Sequence, residues 1–136
     1  MADKFQLRIV TPNRQLLDEE VTEVTAPGSL GEIGVLPDHA TLLTALEIGV
    51  MSYRTDQGVT RLALRGGFAE VANNVMTILA DDAAFPEDVN TGAVEQELRA
   101  AEAKAKDLTP ADDGYAAATG AVRWAQARIE SVRHAR

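Results

Sequence analysis

The chain has 136 residues, 46% of them hydrophobic, which is enough for one substantial core with a small accessory element but not for two large domains. Its formal charge of −8 argues against a nucleic-acid binder of the basic-patch kind and favours neutral or basic partners. The absence of cysteine excludes a disulfide framework and cysteine-bound zinc.

The termini and apolar runs bear on cellular location. No window reaches the roughly eighteen apolar residues that a membrane span requires. The N-terminus, MADKFQLRIV, lacks the apolar core of a signal peptide. We therefore expect a protein that stays in a bacterial-type cytoplasm.

The first half of the chain has the patterns of β-strands. Polar and apolar residues alternate through Lys4–Val10, which predicts a half-buried strand. A short strand is predicted around 15–18, and another around 20–25, where two valines break the alternation and indicate a bulge. The pair Pro27-Gly28 predicts a turn.

Residues 31–51 form the longest largely apolar run, but glycine, proline and aspartate interrupt it. The pattern predicts a strand over Glu32–Leu36 and a tight turn at Pro37-Asp38. A second apolar segment, Thr41–Leu46, is expected to be closed by Gly49.

His39 follows the predicted turn and could act as a catalytic base or a metal ligand. The chain has only one other histidine, His134, and no residue pattern of a catalytic triad surrounds His39. A turn histidine, bonded to the backbone or presented to a partner, is the favoured interpretation. The acidic clusters at 18–20 and 81–82 are expected at strand ends, where they would serve solubility rather than catalysis.

Four further strands are predicted, in two hairpins: Val50–Thr55 with Val59–Arg65, and Gly67–Ala72 with Val75–Ala80. A three-residue loop, 56–58, joins the first pair, and Asn73-Asn74 joins the second. Gly66-Gly67 is not a phosphate loop, because a strand rather than a helix follows it; a bulge or close backbone approach explains it better. Eight to ten short strands predict a β-sandwich or flattened barrel.

Beyond Asp81 the apolar spacing becomes helical. Asn90 is the predicted N-cap of a first helix, and Thr109-Pro110 is predicted to begin a second. Each helix has one narrow apolar seam: Val94, Leu98, Ala101, Ala105 and Leu108 on the first, and Tyr115, Ala118, Val122, Ala125, Ile129 and Val132 on the second. The two should pair as an antiparallel hairpin that is marginal by itself, because alanine dominates both seams.

The second helix carries two further signals. Trp124 lies well away from the seam, so it faces solvent, faces a partner, or packs back on the β-domain. From Tyr115 onward there are four arginines and one glutamate, a formal charge of +3 that leaves −11 on residues 1–114. A solvated face and an acidic protein partner both fit this charge.

Two stretches carry a family resemblance: VTPNRQLLDEEVTEVTAPGSLGEIGVLPDHATLLTALEIGVM and LALRGGFAEVANNVMTILAD. Together with the alanine-rich hairpin they resemble the epsilon subunit of bacterial F-type ATP synthases, whose mitochondrial counterpart is called delta. The most specific parts are Thr11-Pro12, the GEIGVLPDHA run, residues 42–45 and Gly66-Gly67-Phe68. The helical hairpin matches mainly by length and composition.

The resemblance implies an α+β chain: an N-terminal ten-stranded antiparallel β-sandwich, residues 1–86, followed by a C-terminal antiparallel two-helix hairpin, residues 87–136. It further implies a non-catalytic rotor subunit, present once per complex, that couples proton transport to ATP synthesis. The expected partners are the gamma subunit, the membrane ring of c subunits and the catalytic beta (and alpha) subunits. The expected location is peripheral, on the cytoplasmic face of the bacterial inner membrane, with no catalytic residue, cofactor or metal.

The resemblance also implies two sets of contact residues. The rotor-ring set is Glu32, Pro37, Asp38 and His39. The regulatory set, directed at the catalytic subunits, is Arg123, Trp124, Arg128 and Arg133. In the family, a hairpin folded on the sandwich permits turnover, and an extended hairpin blocks ATP hydrolysis.

One departure from the family pattern concerns ATP. Some bacterial members hold ATP with Ile or Leu, Asp, two residues and Arg-Ala at the start of the first helix, whereas this chain has Val89-Asn90-Thr91-Gly92-Ala93-Val94. The motif carboxylate and arginine are missing, although Arg99 and Arg128 leave weak binding open. A stand-alone β-sandwich adaptor with a mobile helical arm is the alternative function.

Overall fold

The computed structural model describes residues 2–133 as eight strands, a single 3-10 turn at Pro86–Asp88 and two helices. The elements are β1 (Phe5–Val10), β2 (Gln15–Val21), β3 (Glu23–Gly28), β4 (Gly31–Val35), β5 (Leu42–Thr55), β6 (Gly58–Ala72), β7 (Val75–Ala80), β8 (Ala83–Ala84), α1 (Thr91–Lys106) and α2 (Tyr115–Arg133). Within this part of the chain, neither helix has the length and apolar character that crossing a bilayer requires.

The strands form one sheet in the order β2-β1-β7-β6-β5-β3-β4, with β8 added to β6. The pairing is antiparallel except between β1 and β7, which run parallel. Residues of β1 and of the distant strands β3 and β4 share one buried core. The sheet therefore closes over itself into two layers, which confirms the predicted sandwich followed by a two-helix hairpin.

Eight strands replace the ten that were expected, because β5 and β6 are long and continuous. Gly49 does not end a strand, because it lies inside β5 and pairs with Leu64 of β6. A Cβ at position 49 would lie 3.1 Å from the Cβ of Pro27. Gly66 and Gly67 likewise lie within β6. A Cβ at Gly67 would lie 2.0 Å from the carbonyl oxygen of Leu79, so close approach of β7 accounts for this glycine.

Two turn predictions and one strand prediction need correction. Pro27-Gly28 is the end of β3 rather than a turn, because Gly28 pairs with Gly31 and the chain reverses at residues 29–30. The predicted strand at 20–25 is divided at Thr22 between β2 and β3. The loop between β5 and β6 has two residues, 56–57, because Thr55 pairs with Gly58.

Two other features of the sandwich bear on the predictions. The Asn73-Asn74 hairpin is confirmed, with φ of 53° and 63°, as the paired positive φ values of a type I′ turn require. The acidic cluster at 18–20 lies within β2 instead of at a strand end, and Asp18 pairs with Arg8 at 3.5 Å.

The first helix begins as predicted, with the side chain of Asn90 accepting a hydrogen bond from the Ala93 N–H at 3.1 Å. The second begins at Tyr115, five residues later than Pro110. The Asp112 carboxylate accepts from the N–H of Thr109 at 2.8 Å and closes a separate turn instead of capping the helix. Gly114, at φ 84°, then accepts from the Ala118 N–H to start α2.

Candidate interaction surfaces

The turn after β4 has the predicted form. The N–H of His39 donates to the carbonyl of Leu36 at 3.2 Å, and Asp38 has φ of 64°. Proline at the second position and positive φ at the third define a type II turn. A ring nitrogen of His39 lies 2.7 Å from the carbonyl oxygen of Ala40, so the histidine is bonded to the backbone beside the turn.

The four residues predicted for ring contact occupy two places. Pro37, Asp38 and His39 are adjacent in the turn, while Glu32 is exposed on β4. Glu32 and Pro37 are five positions apart, which corresponds to roughly 16 Å of extended strand. Glu32 lines a shallow pocket that also includes Glu130 of α2, so it lies on the side of the sheet near the helical hairpin.

Trp124 packs against the sheet. It is 8% exposed and forms a cluster with Ala63, Ala127, Ile48 and Ala84. Of the three orientations open from the sequence, the structure has the one in which the indole packs back on the β-domain. In this conformation Trp124 offers little surface to another protein.

Two of the predicted regulatory arginines are paired inside the chain. A guanidinium nitrogen of Arg123 lies 3.0 Å from the Glu47 carboxylate on β5, and both side chains are about half exposed. Arg128 lies 2.6 Å from Glu97 of α1, and its guanidinium carbon is 5.0 Å from the centroid of the Trp124 ring. Arg123 therefore joins the hairpin to the sheet, and Arg128 joins the two helices beside the indole. Arg133 is exposed at the end of α2.

The outer face of the sheet carries an apolar surface that the sequence reading missed. Phe68 and Leu79 are directly paired on β6 and β7 and are 55% and 53% exposed. Phe68 also pairs with Ala45, and Leu43, two residues away on the same face of β5, is 71% exposed. We call Leu43, Phe68 and Leu79 the apolar face. The alternation of residues along each strand could have indicated this face. Strands this rich in apolar residues, however, have the pattern of strands buried on both faces.

The structure also shows where the residues considered for metal and ATP binding lie. Across residues 2–133 no three or more histidine, aspartate and glutamate side chains gather as a metal site would require. The amide oxygen of Asn90 is used in capping α1, Arg99 is exposed, and Arg128 is paired with Glu97.

An exposed ion pair between Lys4 and Asp56 lies in the sandwich, distant from the helices in sequence. The hydrogen bond to Asp56 raises the pKa of the Lys4 ammonium.

A two-layer sandwich with a docked helical hairpin, a rigid turn and an apolar outer face defines a protein built for contacts with other proteins. The family model "ATP synthase, Delta/Epsilon chain, beta-sandwich domain" matches residues 4–86. ATP synthase epsilon chain 2 of Syntrophotalea carbinolica is 42% identical over 130 residues, covering 96% of this chain and 94% of the relative. The epsilon chain of Geotalea daltonii is 39% identical over the same coverage. The chain belongs to the ATP synthase delta/epsilon family.

Solved structures show the same fold. A chain of the Euglena gracilis mitochondrial ATP synthase superposes with a TM-score of 0.82 at 23% identity, covering 98% of this chain and 84% of that one. A chain of the Tetrahymena thermophila mitochondrial ATP synthase, from its central stalk and c-ring, gives a TM-score of 0.61 at 16% identity. Both cover the hairpin as well as the sandwich, since each spans more than nine-tenths of this chain.

Proposed function

We propose that this chain is a non-catalytic rotor subunit in the central stalk of a proton-translocating ATP synthase. The observation that carries the proposal is the match to ATP synthase epsilon chains over 96% of the chain, which includes the helices as well as the sandwich. The subunit would be peripheral on the cytoplasmic face of a bacterial inner membrane, present once per complex. Residues 1–86 would form the attachment unit and residues 87–136 the regulatory unit.

The apolar face is the proposed contact with the gamma subunit. Three large apolar side chains, Leu43, Phe68 and Leu79, are each more than half exposed on adjoining strands. A contiguous exposed apolar surface on a rigid sheet is typical of a protein interface. Burying it against gamma would fix the orientation of the sandwich in the stalk.

The turn at residues 37–39 is the proposed contact with the membrane ring of c subunits. Its geometry is held by a backbone hydrogen bond that closes the turn, by proline at the second position and by the hydrogen bond from the Asp38 N–H to the Asn74 side chain. Asp38 and His39 supply polar groups for the loops of a ring. Glu32 belongs to this contact only if the ring surface also reaches along β4.

Arg123, Trp124, Arg128 and Arg133 are the proposed regulatory contact with the catalytic beta and alpha subunits. In the docked conformation Trp124 is buried and both Arg123 and Arg128 are paired with glutamates. Inhibition of ATP hydrolysis therefore requires α2 to leave both the sheet and α1, so that acidic groups of the catalytic subunits replace Glu47 and Glu97. The docked form is the permissive one.

Reconstitution into an epsilon-depleted ATP synthase from the same organism tests the proposal. The wild-type chain should restore ATP-driven proton pumping and lower ATP hydrolysis. The variant R123A/R128A should still co-purify with gamma but should lose the inhibition, whereas Arg14→Ala, at an exposed arginine of the β1–β2 loop, should inhibit normally. Unchanged inhibition by R123A/R128A would refute the regulatory contact. Failure of the wild-type chain to co-purify with gamma would favour the stand-alone adaptor.

A binding measurement tests the ring contact separately. His39→Ala should weaken binding to a purified gamma–ring subcomplex while leaving binding to gamma alone intact. Phe68→Ser should weaken binding to gamma itself. Equal binding of His39→Ala and wild type to the ring would remove the turn from the interface.

A further inference from the structure

A hydrogen-bond network centred on Asn74 joins three segments that are distant in sequence. The backbone carbonyl of Asn74 accepts from the N–H of Gln6 at 3.1 Å. Its side-chain nitrogen donates to the carbonyl of Lys4 at 2.8 Å, and its side-chain oxygen accepts from the N–H of Asp38 at 2.8 Å. The N–H of Ala2 in turn donates to the Asp38 carboxylate at 2.8 Å. The start of the chain, the β6–β7 turn and the β4–β5 turn are thus linked at one end of the sandwich.

The bond to Asp38 fixes which way the 37–38 peptide faces. Type I and type II turns differ by a flip of this central peptide, which reverses the direction of the N–H at the third position. With proline second, both types are accessible, and type I would spare Asp38 its positive φ of 64°. The oxygen of Asn74 accepts the N–H only in the type II orientation that the structure has. Asn74 therefore selects this form against a less strained alternative.

Asparagine meets every requirement at position 74. The turn needs positive φ there, observed as 63°, and asparagine tolerates it better than most residues. The network also needs one donor and one acceptor on the same short side chain, which an amide supplies. Glycine would keep the backbone conformation but remove both side-chain bonds. Asn73, its neighbour at φ 53°, takes no part in these bonds.

We infer that Asn74 is a positioning residue for the rotor-ring contact, and that the segments it links, residues 2–4 and 37–39, form one composite contact surface. The inference rests on the proposed function, in which the 37–39 turn meets the ring. Asn74 acts by holding that turn in the type II form, so that Asp38 and His39 are presented in one geometry.

The test compares Asn74→Gly with Asn73→Gly in the full-length chain. Asn74→Gly creates an Asn-Gly pair, the preferred sequence of a type I′ hairpin, so the β6–β7 turn itself is retained. The NMR cross-peak between the Hα of Pro37 and the N–H of Asp38 is strong in a type II turn and weak in a type I turn. It should weaken in Asn74→Gly and persist in Asn73→Gly. Affinity for the gamma–ring subcomplex should fall about three- to tenfold in Asn74→Gly alone, as expected when one hydrogen bond no longer fixes the turn.

The outcomes separate this inference from the proposed ring contact. A persistent Pro37–Asp38 cross-peak in Asn74→Gly would overturn the positioning role. The positioning role would also be overturned if Asn74→Gly weakens the cross-peak without changing ring affinity while His39→Ala still weakens ring binding. The proposed ring contact would then stand without Asn74. If neither His39→Ala nor Asn74→Gly changes ring affinity, the ring contact is wrong and the inference fails with it.

Discussion

The sandwich and the helical hairpin differ in what holds each of them together. Seventeen buried side chains, drawn from seven strands, form the core of the sandwich, and many of them are completely inaccessible. The hairpin's own cluster contains three buried residues, Val94, Ala125 and Ile129. Burial of large apolar side chains contributes most of the stability of a fold. The sandwich is therefore a rigid unit, and the hairpin is a helical unit with little stability of its own.

The hairpin is attached to the sandwich by a small contact. Trp124 and Ala127 pack on Ala63, with Ile48 and Ala84 at the edge. The exposed ion pair Arg123–Glu47 reinforces it. Such a contact can be broken without disturbing the sandwich core, and the proposed regulatory role of the hairpin requires this property.

The largest expected effect is on the sandwich. Leu64→Ala should lower the free energy of unfolding by about 2 to 5 kcal/mol, because Leu64 is completely buried and its removal leaves a cavity. Urea denaturation followed by far-UV circular dichroism measures the change. Leu30→Ala, the same substitution at a side chain that is 100% exposed, should change stability by less than about 0.5 kcal/mol. Equal losses of stability in the two variants would show that Leu64 is not part of the buried core.

A smaller and more local effect is expected from Trp124→Ala. It should cost about 3 kcal/mol of docking free energy and free the hairpin, while the melting temperature of the sandwich stays close to that of wild type. Limited proteolysis should then cleave near residues 86–90, where the sheet gives way to α1. Tyr115→Ala, at the far end of α2, should leave the hairpin docked. A sandwich that melts together with the released hairpin would show that the two units are not separable.

The smallest effect is expected at the ion pair. A double-mutant cycle with Glu47→Gln and Arg123→Gln should give a coupling energy of about 0.2 to 1 kcal/mol, because both side chains are half exposed and screened by solvent. Trp124 fluorescence reports docking in all four proteins, and the coupling should decline with added salt. A coupling well above this range would mean that the ion pair, rather than the indole, determines docking.

Local patterns predicted the parts of the fold that depend on neighbouring residues. Alternation predicted β1, positive-φ residues predicted the Asn73-Asn74 turn, and the capping side chain of Asn90 marked the start of α1. Gly49 was misread as a strand end because its role is set by Pro27 on another strand. Thr109-Pro110 was misread as a helix start because Asp112 closes a turn there.

The contacts on which the proposed function rests join residues that are distant in the chain, and the sequence could not predict them. Helical geometry places Trp124 off the apolar seam of α2, but only the folded sheet shows that Ala63 lies opposite the indole. Glu47 and Arg123 are 76 residues apart, and Asn74 and Asp38 are 36 apart. Neither pairing leaves a periodic signal in the chain.

Equilibrium unfolding in urea, followed by two signals in one sample, tests the central claim that the hairpin releases independently of the sandwich. Trp124 is the only tryptophan, so its fluorescence reports docking, while NMR signals of β1 and β6 report the sandwich. Two transitions that do not coincide violate two-state behaviour. We expect Trp124 to become exposed at a lower urea concentration than the concentration at which the sheet unfolds. Coincident transitions would show that the hairpin does not release independently.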